Sequence, residues 1–266
     1  VESFVPRHIG PSDADVAAML ELLGFDSLDA LIDATVPAGI RLRRPLAIHS
    51  GTPEQNALEQ MRRIAQKNRV IRSYLGLGYH DCFTPPVVQR NVLENPGWYT
   101  AYTPYQAEAS QGSLQAFFEY QTLICELTGL DVSNASLYEG GSAVAESVLM
   151  SISIDPDRPK VLIAESVHPE YRQRLATYLA NIPKQLVTLP TPNGMLDVAE
   201  LKKHVDDQTL CVIVQHPNFF GSLEDVEAIG NACKEKGALF VVSFDAISLG
   251  LLKRPGQYGA DIAVGE

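Results

Sequence analysis

The chain has 266 residues, of which 45% are hydrophobic and 20% charged, with a net charge of −11 and a pI near 5.0. This is ordinary globular composition, and its acidity argues against nucleic acid or an anionic membrane as the main partner. The sequence contains no apolar run of about 18 residues, the length a membrane-spanning helix needs. Its first residues lack the apolar core of a signal peptide, so we expect a cytoplasmic protein.

Cysteine and histidine spacing predicts neither disulfides nor a metal. The four cysteines are scattered and form no CxxC pair, which is typical of reduced thiols in a cytoplasm. The six histidines show no metal-ligand spacing, so we expect no structural metal.

The first 75 residues read as a helical N-terminal arm. Ser12 and Asp15 have capping-box spacing before an apolar stretch that Gly24 ends. Ser27 begins a second, short helix, and Thr52-Pro53 begins a long one that we predict to reach about Val70.

A loop-rich stretch from residue 76 to residue 110 follows, dense in glycine, proline and tyrosine. Its aromatic residues need burial, which suggests an interface or functional segment rather than a linker. An amphipathic helix, SLQAFFEYQTLICELTG, comes next and ends at Gly129.

From Gly140 onward the pattern alternates between helices and short runs of valine, isoleucine and leucine. Such alternation predicts an α/β domain, residues 76–266, with a mostly parallel sheet covered on both faces. The predicted helices are 142–153, 169–180, 197–205 and 224–236, and the predicted strands are KVLIAES, QLVTLP, LCVIVQ and ALFVVS.

Polar residues gather where these strands end, which is where open parallel sheets bind ligands. The loop Gly140–Ser142 opens a helix, His168 follows the first strand, Asn218 follows the third and Asp245 the fourth. A helix start for a phosphate, an imidazole to stack on a ring and a carboxylate for a ring nitrogen would suit an aromatic phosphate cofactor. Each residue also has a structural interpretation: Ser142 and His168 as helix caps, Asn218 as a turn former, and Asp245 as an acceptor for loop amides.

Four segments of the sequence match one known family: RHIGPS (7–12), LGLGYHDCFTPPVVQRNVLENPGWYTAYTPYQAEASQG (75–112), FEYQTLICELTGLDVSNAS (118–136) and YEGGSAVAES (138–147). Through them the chain resembles the glycine decarboxylase (P-protein) family of the glycine cleavage system, most closely subunit 1 of the two-subunit bacterial form. The resemblance implies the aspartate-aminotransferase-like fold, fold type I of pyridoxal-phosphate enzymes. It places Ser142 at the phosphate loop, His168 at the ring-stacking position and Asp245 at the pyridine-nitrogen position.

The lysine that holds pyridoxal phosphate in this fold has no counterpart here. It falls two to three dozen residues after the aspartate, whereas this chain offers only Lys253, which reads as a solvated loop residue. The resemblance implies that the partner subunit binds the cofactor and that the pocket of Ser142, His168 and Asp245 is a degenerate copy without cofactor of its own. It also implies a natural subunit that continues past Glu266, so we expect a truncated chain with an incomplete large domain.

The implied activity is the decarboxylation of glycine and transfer of its aminomethyl group to the lipoyl arm of the H-protein, in a hetero-oligomer with subunit 2. The loop TAYTPYQAE could contribute to that active site across the interface through Tyr102, Tyr105, Gln106 and Glu108. It could equally be an internally packed loop.

Two other functions stay open at this point. One is a non-catalytic structural subunit of the same complex. The other is a self-sufficient pyridoxal-phosphate enzyme, such as a cysteine desulfurase-like protein, whose lysine lies beyond residue 266.

Overall fold

Five parallel strands form one sheet in the order β2-β1-β3-β4-β5. A computed structural model describes residues 7–8, 10–48, 51–99 and 103–266 of the chain. The chain divides into two units, residues 1–81 and 82–266, and the sheet belongs to the second. The strands are β1 Lys160–Ala164, β2 Gln185–Leu189, β3 Thr209–His216, β4 Leu239–Phe244 and β5 Ile262–Gly265.

The centre of the sheet is buried because its inner strands β1, β3 and β4 are mostly apolar. Val212 of β3 pairs with Leu162 of β1 on one side and with Phe240 of β4 on the other, and all three are at most 1% exposed. Such continuous apolar runs are expected where helices cover both faces of a parallel sheet. The fold class predicted from the sequence is confirmed.

Helices alternate with the strands, and their capping residues are visible in the sequence. The Asp197 and Asp225 side chains cap α9 and α10, and Gly237 ends α10 in the left-handed region at φ 65°. The helices of this unit are α4 Pro86–Val88, α5 Pro96–Tyr99, α6 Gln111–Thr128, α7 Gly140–Ile154, α8 Pro169–Leu179, α9 Val198–His204 and α10 Val226–Lys236; a π-helical turn Gln89–Leu93 follows α4, and 3-10 turns lie at Ala246–Gly250 and Pro255–Tyr258.

The first unit contains the predicted helices of the N-terminal arm. Helix α1 has the capping box of Ser12 and Asp15 and ends at Gly24 as predicted. Helix α3 is shorter than predicted and ends at Ala65, before Val70. The helical spacing of apolar residues stops there, and the polar segment QKNR (66–69) begins with hydrogen-bonded turns. The bounds are α1 Asp13–Leu23, α2 Leu28–Thr35 and α3 Glu54–Ala65.

Among the described residues, no helix is long and apolar enough to span a membrane, and no group of three or more His, Cys, Asp or Glu side chains is arranged to hold a metal ion.

Candidate functional site

The N-terminus of α7 lies at the carboxyl edge of the sheet, where a phosphate was expected. The N–H groups that begin an α-helix have no partner within the helix, so they bind anions or capping side chains. Here they bind carboxylates of the chain itself. The Glu139 carboxylate accepts from the backbone N–H of Ser142 at 2.6 Å and of Gly141 at 2.8 Å, and the Glu266 carboxylate accepts from that of Gly140 at 2.9 Å.

Ser142 therefore lies in the first turn of α7 and is not its N-cap, which is Glu139. Ser142 is buried, and its hydroxyl accepts a hydrogen bond from Arg174 of α8 at 3.0 Å. The same Arg174 nitrogen lies 3.1 Å from the Glu139 carboxylate. Burial opposes ionisation of Glu139, but the hydrogen bonds from Ser142 and Gly141 outweigh it, so the pKa of this carboxyl lies below its usual value.

The two glycines at this helix start serve a close approach of side chains. A Cβ at Gly140 would overlap the Tyr171 hydroxyl, and one at Gly141 would lie 2.9 Å from the Glu139 carboxylate. Either Cβ would force these side chains to move, so glycine permits the close approach seen here. The Tyr171 hydroxyl donates to the Glu266 carboxylate, and burial together with this bond raises the pKa of Tyr171 well above its usual value.

His168 precedes α8 and caps it, one of the two roles expected from the sequence. Its Nδ1 accepts from the backbone N–H of Glu170 at 3.2 Å, which assigns the tautomer with the proton on Nε2. The Tyr171 ring stacks on the imidazole, with centroids 4.8 Å apart and planes inclined by 30°, and Phe219 meets it edge-on at 5.1 Å. One face of the imidazole is therefore covered by a side chain of the same helix.

Asp245 follows β4 and is exposed. Its carboxylate accepts from the backbone N–H of Ile247 at 2.9 Å and so caps the 3-10 turn. Arg174 and Tyr171, one turn apart on α8, contact Ser142 and His168 respectively, whereas the hydrogen bond of the Asp245 carboxylate stabilises its own turn.

A buried polar network lies beside this edge. The Glu224 carboxylate, 4% exposed, accepts from the Ser166 hydroxyl at 2.7 Å, the Asn218 amide at 2.8 Å and the backbone N–H of Leu196 at 2.8 Å. The Asn218 carbonyl accepts from the backbone N–H groups of Phe220 and Ser222. Asn218 is thus the turn former that the sequence allowed.

The loop before α6 presents polar side chains to the surface. Tyr105, Gln106 and Glu108 are exposed, Tyr105 by 80%. Tyr102 lies outside the described residues. Lys253 is also exposed and pairs with Glu227.

A phosphate at a helix N-terminus binds through open N–H groups and a net positive charge, and at this helix start both are taken up by carboxylates. Two carboxylates take the N–H groups of Gly140, Gly141 and Ser142, with Arg174 as a cation beside them. The residues at the expected phosphate loop therefore do not fit a phosphate. Sequence reasoning missed Glu139, Tyr171, Arg174 and Glu266; an acidic residue directly before two glycines was the available signal.

The five-stranded parallel sheet and its covering helices have the fold of fold-type-I pyridoxal-phosphate enzymes. A sphingosine-1-phosphate lyase from Burkholderia pseudomallei shares the fold with a TM-score of 0.59 at 15% identity, over 74% of this chain and 49% of that chain. A family model described as glycine cleavage system P-protein matches residues 6–266. The chain therefore belongs to the glycine cleavage system P-protein family.

Relatives with higher identity agree. The chain is 48% identical over 255 residues to a probable glycine dehydrogenase (decarboxylating) subunit 1 of Carboxydothermus hydrogenoformans, covering 95% of this chain and 57% of that protein. It is 43% identical over 264 residues to the glycine dehydrogenase (decarboxylating) of Thermosynechococcus vestitus, a match that covers 98% of this chain and 27% of that protein. A crystal structure of glycine decarboxylase (P-protein) of the glycine cleavage system in inhibitor-bound form matches with a TM-score of 0.85 at 43% identity. The match covers 97% of this chain and 58% of that chain. The chain spans just over half the length of the subunit-1 relatives.

Proposed function

We propose that this chain supplies the subunit-1 part of a glycine dehydrogenase (aminomethyl-transferring, decarboxylating). Glycine is the substrate, its carboxylate leaves as CO2, and the aminomethyl group passes to the lipoyl arm of an H-protein. The observation that carries the proposal is the agreement, over nearly the whole chain, with both subunit-1 sequences and a solved glycine decarboxylase.

The cofactor of the assembled enzyme would be pyridoxal phosphate, held by the partner subunit 2. When bound, pyridoxal phosphate supplies an electron sink for the decarboxylation. Two observations support its placement in the partner. The phosphate position of this chain is taken by Glu139, and Lys253, which follows Asp245, pairs on the surface with Glu227.

The contribution of this chain would come from the loop before α6. Tyr105, Gln106 and Glu108 present a hydroxyl, an amide and a carboxylate at the surface, and Tyr102 belongs to the same loop. Such groups orient a substrate and hold its protons when a neighbouring subunit closes over them. Their exposure supports a role toward a partner.

Two organisational points belong to the same proposal. We infer a helical arm of residues 1–75 followed by a large domain of residues 76–266, and a cytoplasmic enzyme, which the acidic composition and the absence of a CxxC pair support.

The test is reconstitution of the intact protein with subunit 2 and lipoylated H-protein, followed by glycine-dependent CO2 release. Tyr105→Phe and Gln106→Ala should lower turnover while the assembled mass stays unchanged. Tyr178→Phe, which removes a hydroxyl from the surface of α8, is the matched control and should keep full turnover.

Other outcomes separate the alternatives. Unchanged turnover in both loop variants, with normal assembly, would make this chain a structural subunit. Glycine turnover by the intact protein without subunit 2 would make it self-sufficient and would overturn the proposal.

A further inference from the structure

We propose that Glu139 is the resident anion of the α7 N-terminus: its carboxylate takes the place of a phosphate and keeps a latent anion site closed. The inference concerns side chains of this chain alone and does not depend on which reaction the assembled enzyme catalyses.

The hydrogen bonds account for every backbone N–H of the first turn of α7. Each Glu139 oxygen accepts one backbone N–H, from Ser142 at 2.6 Å and from Gly141 at 2.8 Å. The Gly140 N–H donates to Glu266, and the Ala143 N–H donates to the Glu139 carbonyl at 2.9 Å as the first bond within the helix. No N–H of this first turn is left for a ligand.

The charges lead to the same conclusion. Arg174 is the cation at this position, and its guanidinium is shared between the Glu139 carboxylate at 3.1 Å and the Ser142 hydroxyl at 3.0 Å. An incoming phosphate would meet two carboxylates and one already paired arginine, so its binding is opposed by like-charge repulsion.

Removing the Glu139 carboxylate should open the site. The N–H groups of Gly141 and Ser142, the Ser142 hydroxyl and the Arg174 guanidinium would then all point at one empty position. Two backbone donors at a helix N-terminus with an arginine beside them are the usual elements of a phosphate site.

The test compares Glu139→Ala with the wild type in the intact protein. Inorganic phosphate is titrated at constant ionic strength, with chloride as the balancing anion, and binding is read by calorimetry and by the thermal unfolding midpoint. We expect Glu139→Ala to bind phosphate at least about tenfold more tightly than the wild type, because one opposing charge is gone and the two N–H groups and the arginine that Glu139 held are released. Glu146→Ala, an exposed position on the same helix, is the matched control and should behave as the wild type.

Phosphate sites elsewhere would bind equally in the wild type, Glu139→Ala and Glu146→Ala. The test therefore rests on the difference in phosphate affinity between Glu139→Ala and the other two proteins. A folded Glu139→Ala protein with no gain in phosphate affinity would overturn the proposal. So would a wild-type phosphate site that Glu139→Ala weakens. If Glu139→Ala does not fold, Glu139→Gln, which keeps the side-chain length and removes the charge, is measured by the same criterion.

Discussion

The Arg174 guanidinium of α8 lies 3.1 Å from the Glu139 carboxylate at the start of α7, and the same nitrogen donates to the Ser142 hydroxyl. This contact joins the start of α7 to the middle of α8 at the carboxyl edge of the sheet. It also explains why an acidic residue is accommodated there, since the carboxylate has a helix N-terminus on one side and an arginine on the other.

We expect Arg174→Met to lower the free energy of unfolding by about 0.5 kcal/mol, since ion pairs this exposed contribute about 0–1 kcal/mol. The side chains of Arg174 and Glu139 are 46% and 38% exposed. Urea unfolding of Arg174→Met, Glu139→Gln and the double variant measures the coupling. Lys202→Met on α9 is the control, and strictly additive effects of the two substitutions would contradict the contact.

The Glu224 carboxylate should be among the most sensitive polar positions. Glu224→Ala removes the acceptor of three donors, from Ser166, Asn218 and Leu196, inside the protein. A buried donor left without an acceptor costs about 1–3 kcal/mol. Because three donors lose their acceptor, we expect Glu224→Ala to lower the free energy of unfolding in urea by about 3 kcal/mol. Glu235→Ala, at an exposed position on α10, is the control. An equally small effect of both substitutions would show that the hydrogen bonds of Glu224 do not stabilise the protein.

His216 should make stability depend on pH. It is buried, and its Nδ1 has no hydrogen-bond partner among the described residues. Burial lowers the pKa of His216, and the Glu224 carboxylate opposes this only in part. Because its folded-state pKa is lowered, His216 takes up a proton more readily in the unfolded state than in the folded state. Its contribution to the free energy of unfolding is therefore complete above about pH 6.5, the pKa of an unperturbed histidine, and is lost as the pH falls through the folded-state pKa.

The measurement is urea unfolding between pH 8 and pH 5. The wild type should lose more stability over this range than His216→Phe, which cannot be protonated, while His204→Gln, at a half-buried position on α9, should follow the wild type. Parallel pH profiles for the wild type and His216→Phe would contradict this assignment.

The cysteines should differ strongly in reactivity. Cys82 is exposed, whereas Cys211 and Cys233 are buried, and burial raises the pKa of both buried thiols to about 12. At pH 8 a thiol reagent should modify Cys82 first and the two buried cysteines only after unfolding in urea. Peptide mapping by mass spectrometry resolves the sites, and Cys82→Ser should remove the fast phase. Fast labelling of Cys211 in the folded protein would contradict the buried placement of β3.

Much of the fold follows from local patterns. The apolar runs of β1 to β4 and the caps at Ser12, Gly24, Gly129 and Asp197 are where periodicity and capping chemistry place them. Strand β5, only four residues long, was missed because so short a run carries little periodicity.

The site was predicted less well, for a physical reason. Glu139, Tyr171, Arg174 and Glu266 meet only after α7, α8 and β5 have packed; Gly140 and Glu266 are 126 residues apart in the chain. Local patterns identify a helix start with glycines, but whether a ligand or a side chain fills it depends on tertiary contacts.

We propose that the phosphate position of the fold formed by residues 103–266 is closed in this chain. The most direct measurement adds pyridoxal phosphate to the intact protein without subunit 2, reduces with borohydride, and maps the labelled peptides. We expect no stoichiometric label on any lysine of this chain, Lys253 included, and no cofactor absorbance that survives gel filtration. A single lysine of this chain labelled in full would contradict the account and would make the chain a cofactor-bearing enzyme.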